Sequence, residues 1–157
     1  MALNQQQKEA WHRAAALCSR AEKCTGDIRK KLQDWGLEME ETTEIIHLLI
    51  EEKYIDDERF ARSFVKDKFR FNRWGRVKIS FQLRAKQVDA GIIDAALEEI
   101  DEAAYQEQLL DLLREKNKSV KAATDYDRKA KLIRFAQGRG FEPDFIFPAV
   151  DHLLRES

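Results

Sequence analysis

GRVKISFQLRAKQV, residues 75–88, decides how this chain folds, because two other segments repeat its layout. They are TGDIRKKLQDWGL (25–37) and DRKAKLIRFAQGRGF (127–141). Ile28, Ile79 and Leu132 hold one equivalent position, and Leu32, Leu83 and Ala136 hold another one turn later. A spacing of four stacks two apolar side chains on one face of a helix, so each segment reads as an amphipathic helix with a buried stripe. Each then stops at Gly36, Gln87 or Gly140, and an apolar residue follows: Leu37, Val88 or Phe141. Glycine is expected just past a helix, where the chain turns left-handed and a Cβ is unwelcome. Gln87 breaks that rule, so it either carries strain or ends its helix differently.

The same order extends on both sides. After the stops come Ile45-Ile46, Ile92-Ile93 and Phe145-Ile146, with Ile50, Leu97 and Val150 one turn further on. Before them lie apolar stretches from Trp11 to Leu17, Phe60 to Phe64 and Tyr105 to Leu113. The stops are 51 and then 53 residues apart, a period that suits an array of three-helix units. Six glycines and two prolines in 157 residues favour helices with short connections over a turn-rich β fold. The expected fold is all-α: an elongated tandem array, open to curvature, of three helix-turn-helix-like three-helix repeats spanning residues 1–53, 54–103 and 104–157.

Local signals refine this plan. Thr25 and Thr124 read as N-caps of second helices, the latter with Asp127 three residues on. Asp56 and Asp57 stand before Phe60, where one can cap a helix and the other favour its positive end. Pro143 suits a first helical turn, whereas Pro148 lies deeper, where it should kink the helix. NKSVKAATDYD (117–127) reads as a longer connection, either a mobile loop or an extra turn.

Charge is segregated beneath a net value of −1. Residues 38–58 carry nine acids and one base, and residues 59–86 carry ten bases and one acid, Asp67. Residues 89–107 carry seven acids and no base, and residues 114–139 nine bases against three acids. Fields add locally, so such blocks can attract oppositely charged partners although the total is near zero. The stretch DKFRFNRWGRVK (67–78) reads as the end of one helix, a break at Gly75 and the start of the next. Its aromatics are expected to turn inward, and Arg70, Arg73, Arg76 and Lys78 outward. Arg62, Lys66, Lys68, Arg70, Arg73, Arg76, Lys78, Arg84 and Lys86 form the candidate binding patch, since cations and guanidinium forks suit phosphates and carboxylates. Phe69, Phe71 and Trp74 could stack on bases, but near-helical spacing of Phe64, Phe71 and Trp74 favours packing against the repeat.

Nothing in the sequence points to catalysis. There is no phosphate-binding G-x-x-x-x-G-K-[ST], no H-E-x-x-H and no G-x-S-x-G. His12, His47 and His152 lack metal-ligand spacing, and the carboxylates follow helix surfaces and ends, so neither metal nor cofactor is expected. Cys18 and Cys24, in C-x5-C spacing, match neither a redox pair nor half a zinc site and read as small hydrophobes. Neither a signal peptide nor an apolar run of membrane-spanning length is visible. The expectation is a reduced cytoplasmic protein, monomeric and without a membrane partner.

From Tyr54 to Leu97 the chain resembles the RecX family of recombination regulators. The residues that carry the resemblance are Tyr54, Ile55, Asp56 and Asp57, then Phe60 and Ala61, Gly75, and the Ile79–Leu83 pair. The remainder resembles it through the tandem three-helix plan. Gln87-Val88 departs from the family's usual Lys-Gly pair, although Lys86 keeps the charge. The resemblance implies a bacterial cytosolic protein that binds the RecA recombinase, lodges in the groove of its filament on DNA and modulates, usually inhibits, its activity. It also implies possible contact with single- or double-stranded DNA. Two other readings fit the residues: a stand-alone helical DNA-binding protein, and a helical-repeat adaptor for another protein.

Overall fold

A computed structural model describes residues 2–156, which form nine α-helices and no strand among the described residues. The first three are α1 (Gln5–Arg20), α2 (Thr25–Asp34) and α3 (Met39–Glu51). Then come α4 (Asp57–Arg70), α5 (Arg76–Ala85) and α6 (Ala90–Glu98), followed by α7 (Glu102–Asn117), α8 (Asp125–Gly138) and α9 (Pro143–Glu156). The chain is the expected all-helical array of three-helix repeats.

The second helices end alike. Leu37 N–H donates to Leu32 O and Gly36 N–H to Gln33 O; Val88 and Gln87 do the same to Leu83 and Arg84, and Phe141 and Gly140 to Ala136 and Gln137. This paired pattern satisfies two carbonyls that a helix end leaves without donors. It needs a left-handed residue, supplied by Gly36 (φ 94°), Gln87 (φ 64°) and Gly140 (φ 91°). Gln87 therefore ends its helix as the glycines do and accepts the conformational cost, about 1–2 kcal/mol for a residue with a Cβ. Lys53 (φ 64°) and Arg73 (φ 57°) take the same conformation after α3 and α4.

Two compact units emerge from the packing, one of residues 1–64 and 83–96, the other of residues 65–82 and 97–157. In the first, Ala10, Ala14 and Ala15 of α1 pack with Ile28 and Leu32 of α2 and with Ile45, Ile46 and Leu49 of α3. Tyr54 lies at the edge of this core, its ring edge-on to Trp11 at 5.8 Å. Asp56 caps α4 by accepting from Arg59 N–H at 3.1 Å, and Asp57 accepts from Thr25 N–H at 2.8 Å. Thr25 is thus not the cap of α2. Cys24 is: its sulfur accepts from Asp27 N–H at 3.4 Å while the Asp27 carboxylate accepts from Cys24 N–H at 3.5 Å. The reason is a one-residue offset, since the helix already includes Thr25.

In the second unit, Tyr105, Leu109 and Leu113 of α7 pack with Leu132 and Ala136 of α8, Phe141, and Ile146 and Val150 of α9. Thr124 caps α8, accepting from Asp127 N–H at 3.1 Å. The connection before it is tethered: Arg128 donates to Asn117 O and Oδ1, and Lys131 Nζ to Lys121 O. Pro148 stands inside α9, where it has no N–H to offer Asp144 O. Phe60, Ala61, Ile79 and Leu83 are buried.

The start of α5 is joined to the turn after α8 by main-chain atoms. Gly75 N–H donates to Arg139 O at 2.8 Å and Val77 N–H to Gly140 O at 2.9 Å. These are first-turn donors without intrahelical partners. The strands of chain come so close that a Cβ on Gly75 would lie 2.6 Å from Phe141 N, and one on Gly140 2.7 Å from Lys78 N.

Candidate protein- and nucleic-acid-binding surface

The nine cations singled out in the sequence divide by what holds them. In the first unit Arg62 and Arg84 are exposed, and neither forms an ion pair among the described residues. Lys86 is occupied: its Nζ lies 2.8 Å from Asp27 Oδ1. Burial pushes the Asp27 carboxyl up, but the hydrogen bond and charge of Lys86 outweigh it and hold the group below its ordinary value.

Six of the cations lie in the second unit. Lys66 and Arg70 are exposed and four residues apart, so they share one face of α4. Lys68 and Lys78 both approach the indole of Trp74, their ammonium groups 5.1 and 4.8 Å from the ring centroid. Such contacts draw the ammonium groups to the negative face of the ring.

Arg73 and Arg76 do not point outward to a partner, contrary to the expectation from sequence. Arg73 takes its left-handed conformation where α4 has ended, which turns its guanidinium to Glu115 at 2.9 Å and Gln108 at 3.2 Å. The hydrogen bond from Arg73 holds the Glu115 carboxyl below its usual value. Arg76 lies 4.0 Å above the Tyr105 ring and pairs with Glu142 at 3.2 Å. Its main-chain N–H donates to Tyr105 Oη at 2.9 Å, and Tyr105 in turn donates to Glu142 Oε1. Burial and then the Glu142 hydrogen bond push the Tyr105 phenol well up, so it stays a donor. These two arginines position the corner that the sequence reading took for a free surface.

The aromatics also divide. Phe69 stacks on Tyr105 at 5.9 Å, and Phe64 faces Phe60 at 5.7 Å. Trp74 is half-buried, but Phe71 is 74% exposed, a correction to its expected inward position. It follows the last residue of α4, so the helical register that would have turned it inward no longer applies. Sequence reading missed two features. Val77 and Phe81, on the outer face of α5, are exposed although apolar. A cleft of about 730 Å3 in the first unit is lined by Lys23, Arg29, Lys30, Lys31 and Lys86. The only signal for the cleft was the Arg29-Lys30-Lys31 run.

The family models described as the second and third three-helix domains of RecX match residues 56–97 and 103–150. The chain belongs to the RecX family. Among its relatives, the regulatory protein RecX of Acinetobacter baylyi is 30% identical over 145 residues, covering 91% of this chain and 87% of that one. That of Prosthecochloris aestuarii is 31% identical over 147 residues, 94% and 95% of the two chains. A RecX from Clostridium botulinum is longer: 32% identity extends over 129 residues, 60% of its length. The crystal structure of RecX from Lactobacillus salivarius superposes with a TM-score of 0.86 at 20% identity, covering 94% of this chain and 96% of that one. At that identity the likeness speaks for the fold. The RecX relatives are named regulatory proteins, and no helix of the described residues is long and apolar enough to cross a membrane.

Proposed function

We propose that this chain regulates homologous recombination by binding the RecA recombinase in its filament on DNA and inhibiting it, lodged in the filament's groove. Membership of the RecX family is the observation that carries the reading. The surface supports it: Lys66, Arg70 and Lys78 in one unit, and Arg62 and Arg84 in the other, form no ion pair with an acid among the described residues. Arg73, Arg76 and Lys86 belong to the scaffold instead and are left out of the contact.

Binding is measured by co-sedimentation with RecA filaments on single-stranded DNA, compared with naked DNA at matched salt. Binding that requires the recombinase supports the proposal. Equal binding to naked DNA, with an affinity that falls steeply as salt rises, favours a DNA-binding protein acting alone, because released counterions scale with phosphates contacted. Binding to neither leaves an adaptor for another protein. Lys66→Glu with Arg70→Glu should weaken filament binding at least about tenfold; unchanged binding removes this face from the contact.

A further inference from the structure

The outer face of α5 carries apolar side chains that the repeat plan does not require. Ile79 and Leu83 point inward and are buried, yet Val77 and Phe81 are 51% and 64% exposed. Lying four residues apart, these two share one helix face. The sister repeats show what the positions tolerate. With Ile28, Ile79 and Leu132 in register, Val77 corresponds to Gly26 and Ala130, and Phe81 to Lys30 and Arg134. Lys30 and Arg134 are both exposed. The middle repeat thus places a phenyl ring in water where the others place a cation.

The surroundings are positive. Helix α5, RVKISFQLRA, contains no acid, and Lys78 stands beside Val77 with its ammonium 4.8 Å from the Trp74 ring centroid. A cation beside an exposed apolar centre, on a helix without acids, is complementary to an apolar pocket edged by carboxylates. Val77 favours a protein over a nucleic acid, because a branched aliphatic side chain has no flat face on which a base could stack.

We propose that Val77 and Phe81 form a docking face for a protein partner, with Phe81 entering an apolar pocket edged by acidic side chains. This inference rests on the regulatory function proposed above and identifies the contact as one to the recombinase protein rather than to its DNA.

The test is the double variant Val77→Ala, Phe81→Lys, which installs residues of the kinds that the sister repeats already hold there and adds a positive charge. Affinity is measured by fluorescence anisotropy for RecA filaments on a single-stranded oligonucleotide and for the same oligonucleotide alone, with circular dichroism as a check on folding. Filament affinity should fall about tenfold or more, while affinity for the bare oligonucleotide holds or rises. Phe81→Leu, which keeps an apolar side chain, should retain most of the filament affinity. Undiminished filament binding by the double variant overturns the docking face and leaves the regulatory reading intact. So does a parallel loss on the bare oligonucleotide, or a Phe81→Leu variant as weak as the lysine variant, since either points to base stacking. A wild-type chain that does not bind the filament overturns the regulatory reading and the docking face with it.

Discussion

Two glycines of this chain separate close approach from mere flexibility. Gly75 has no room for a methyl group, whereas around Gly138, near the end of α8, nothing lies within 4 Å of where a Cβ would stand. Gly75→Ala should cost about 2–4 kcal/mol because main chain must move to admit it. Gly138→Ala should gain about 0.5–1 kcal/mol by restricting the unfolded chain. Urea unfolding of the two variants compares them directly. Cys24 offers a second test. Burial pushes its thiol up to about 11, against an ordinary 9.0. The folded chain therefore keeps a proton that the unfolded chain releases, so this contribution to stability is complete below pH 9 and is lost as pH rises towards 11. At pH 8, Cys24 should alkylate far more slowly in the folded protein than in urea, and more slowly than the half-buried Cys18; equal rates by mass spectrometry would contradict its burial.

At the level of helices, the start of α5 depends on α7. Tyr105 accepts from Arg76 N–H and donates to Glu142 within a single half-buried cluster. Tyr105→Phe leaves both groups without that partner and should cost about 1–3 kcal/mol, seen as a lower melting temperature. The helices themselves were legible because their evidence is local. Apolar residues four apart, a left-handed stop and a following hydrophobe fit within one segment, and even Gln87 keeps the geometry that its position implied. The caps were less so: a thiol is an unusual N-cap, and Thr25 beside it is the stronger signal. Long-range partners were not legible at all. Arg73 meets Glu115 and Arg76 meets Glu142 across 42 and 66 residues, and no periodicity reports such pairs. Phe71 was misjudged for the opposite reason, since an aromatic residue in a helical pattern is ordinarily core.

For the molecule as a whole, stability should spread from one repeat to the next through its joints, as in other repeat arrays. Leu132→Ala empties a fully buried position in the third repeat and should cost about 2–5 kcal/mol. Hydrogen exchange should then quicken at Gly75 and Val77 as well as within α8, because their amides are bonded to Arg139 O and Gly140 O. Protection unchanged at those two amides would mean that the joint does not transmit the loss. The joint also bears on how such a chain can diverge. It is made from main-chain atoms, which every amino acid except proline supplies alike, so mutation around it can exchange one side chain for another without breaking it. Only the two positions where the chains nearly touch are denied that freedom. Among descendants of this sequence, residues 75 and 140 should stay small long after their neighbours have become unrecognisable.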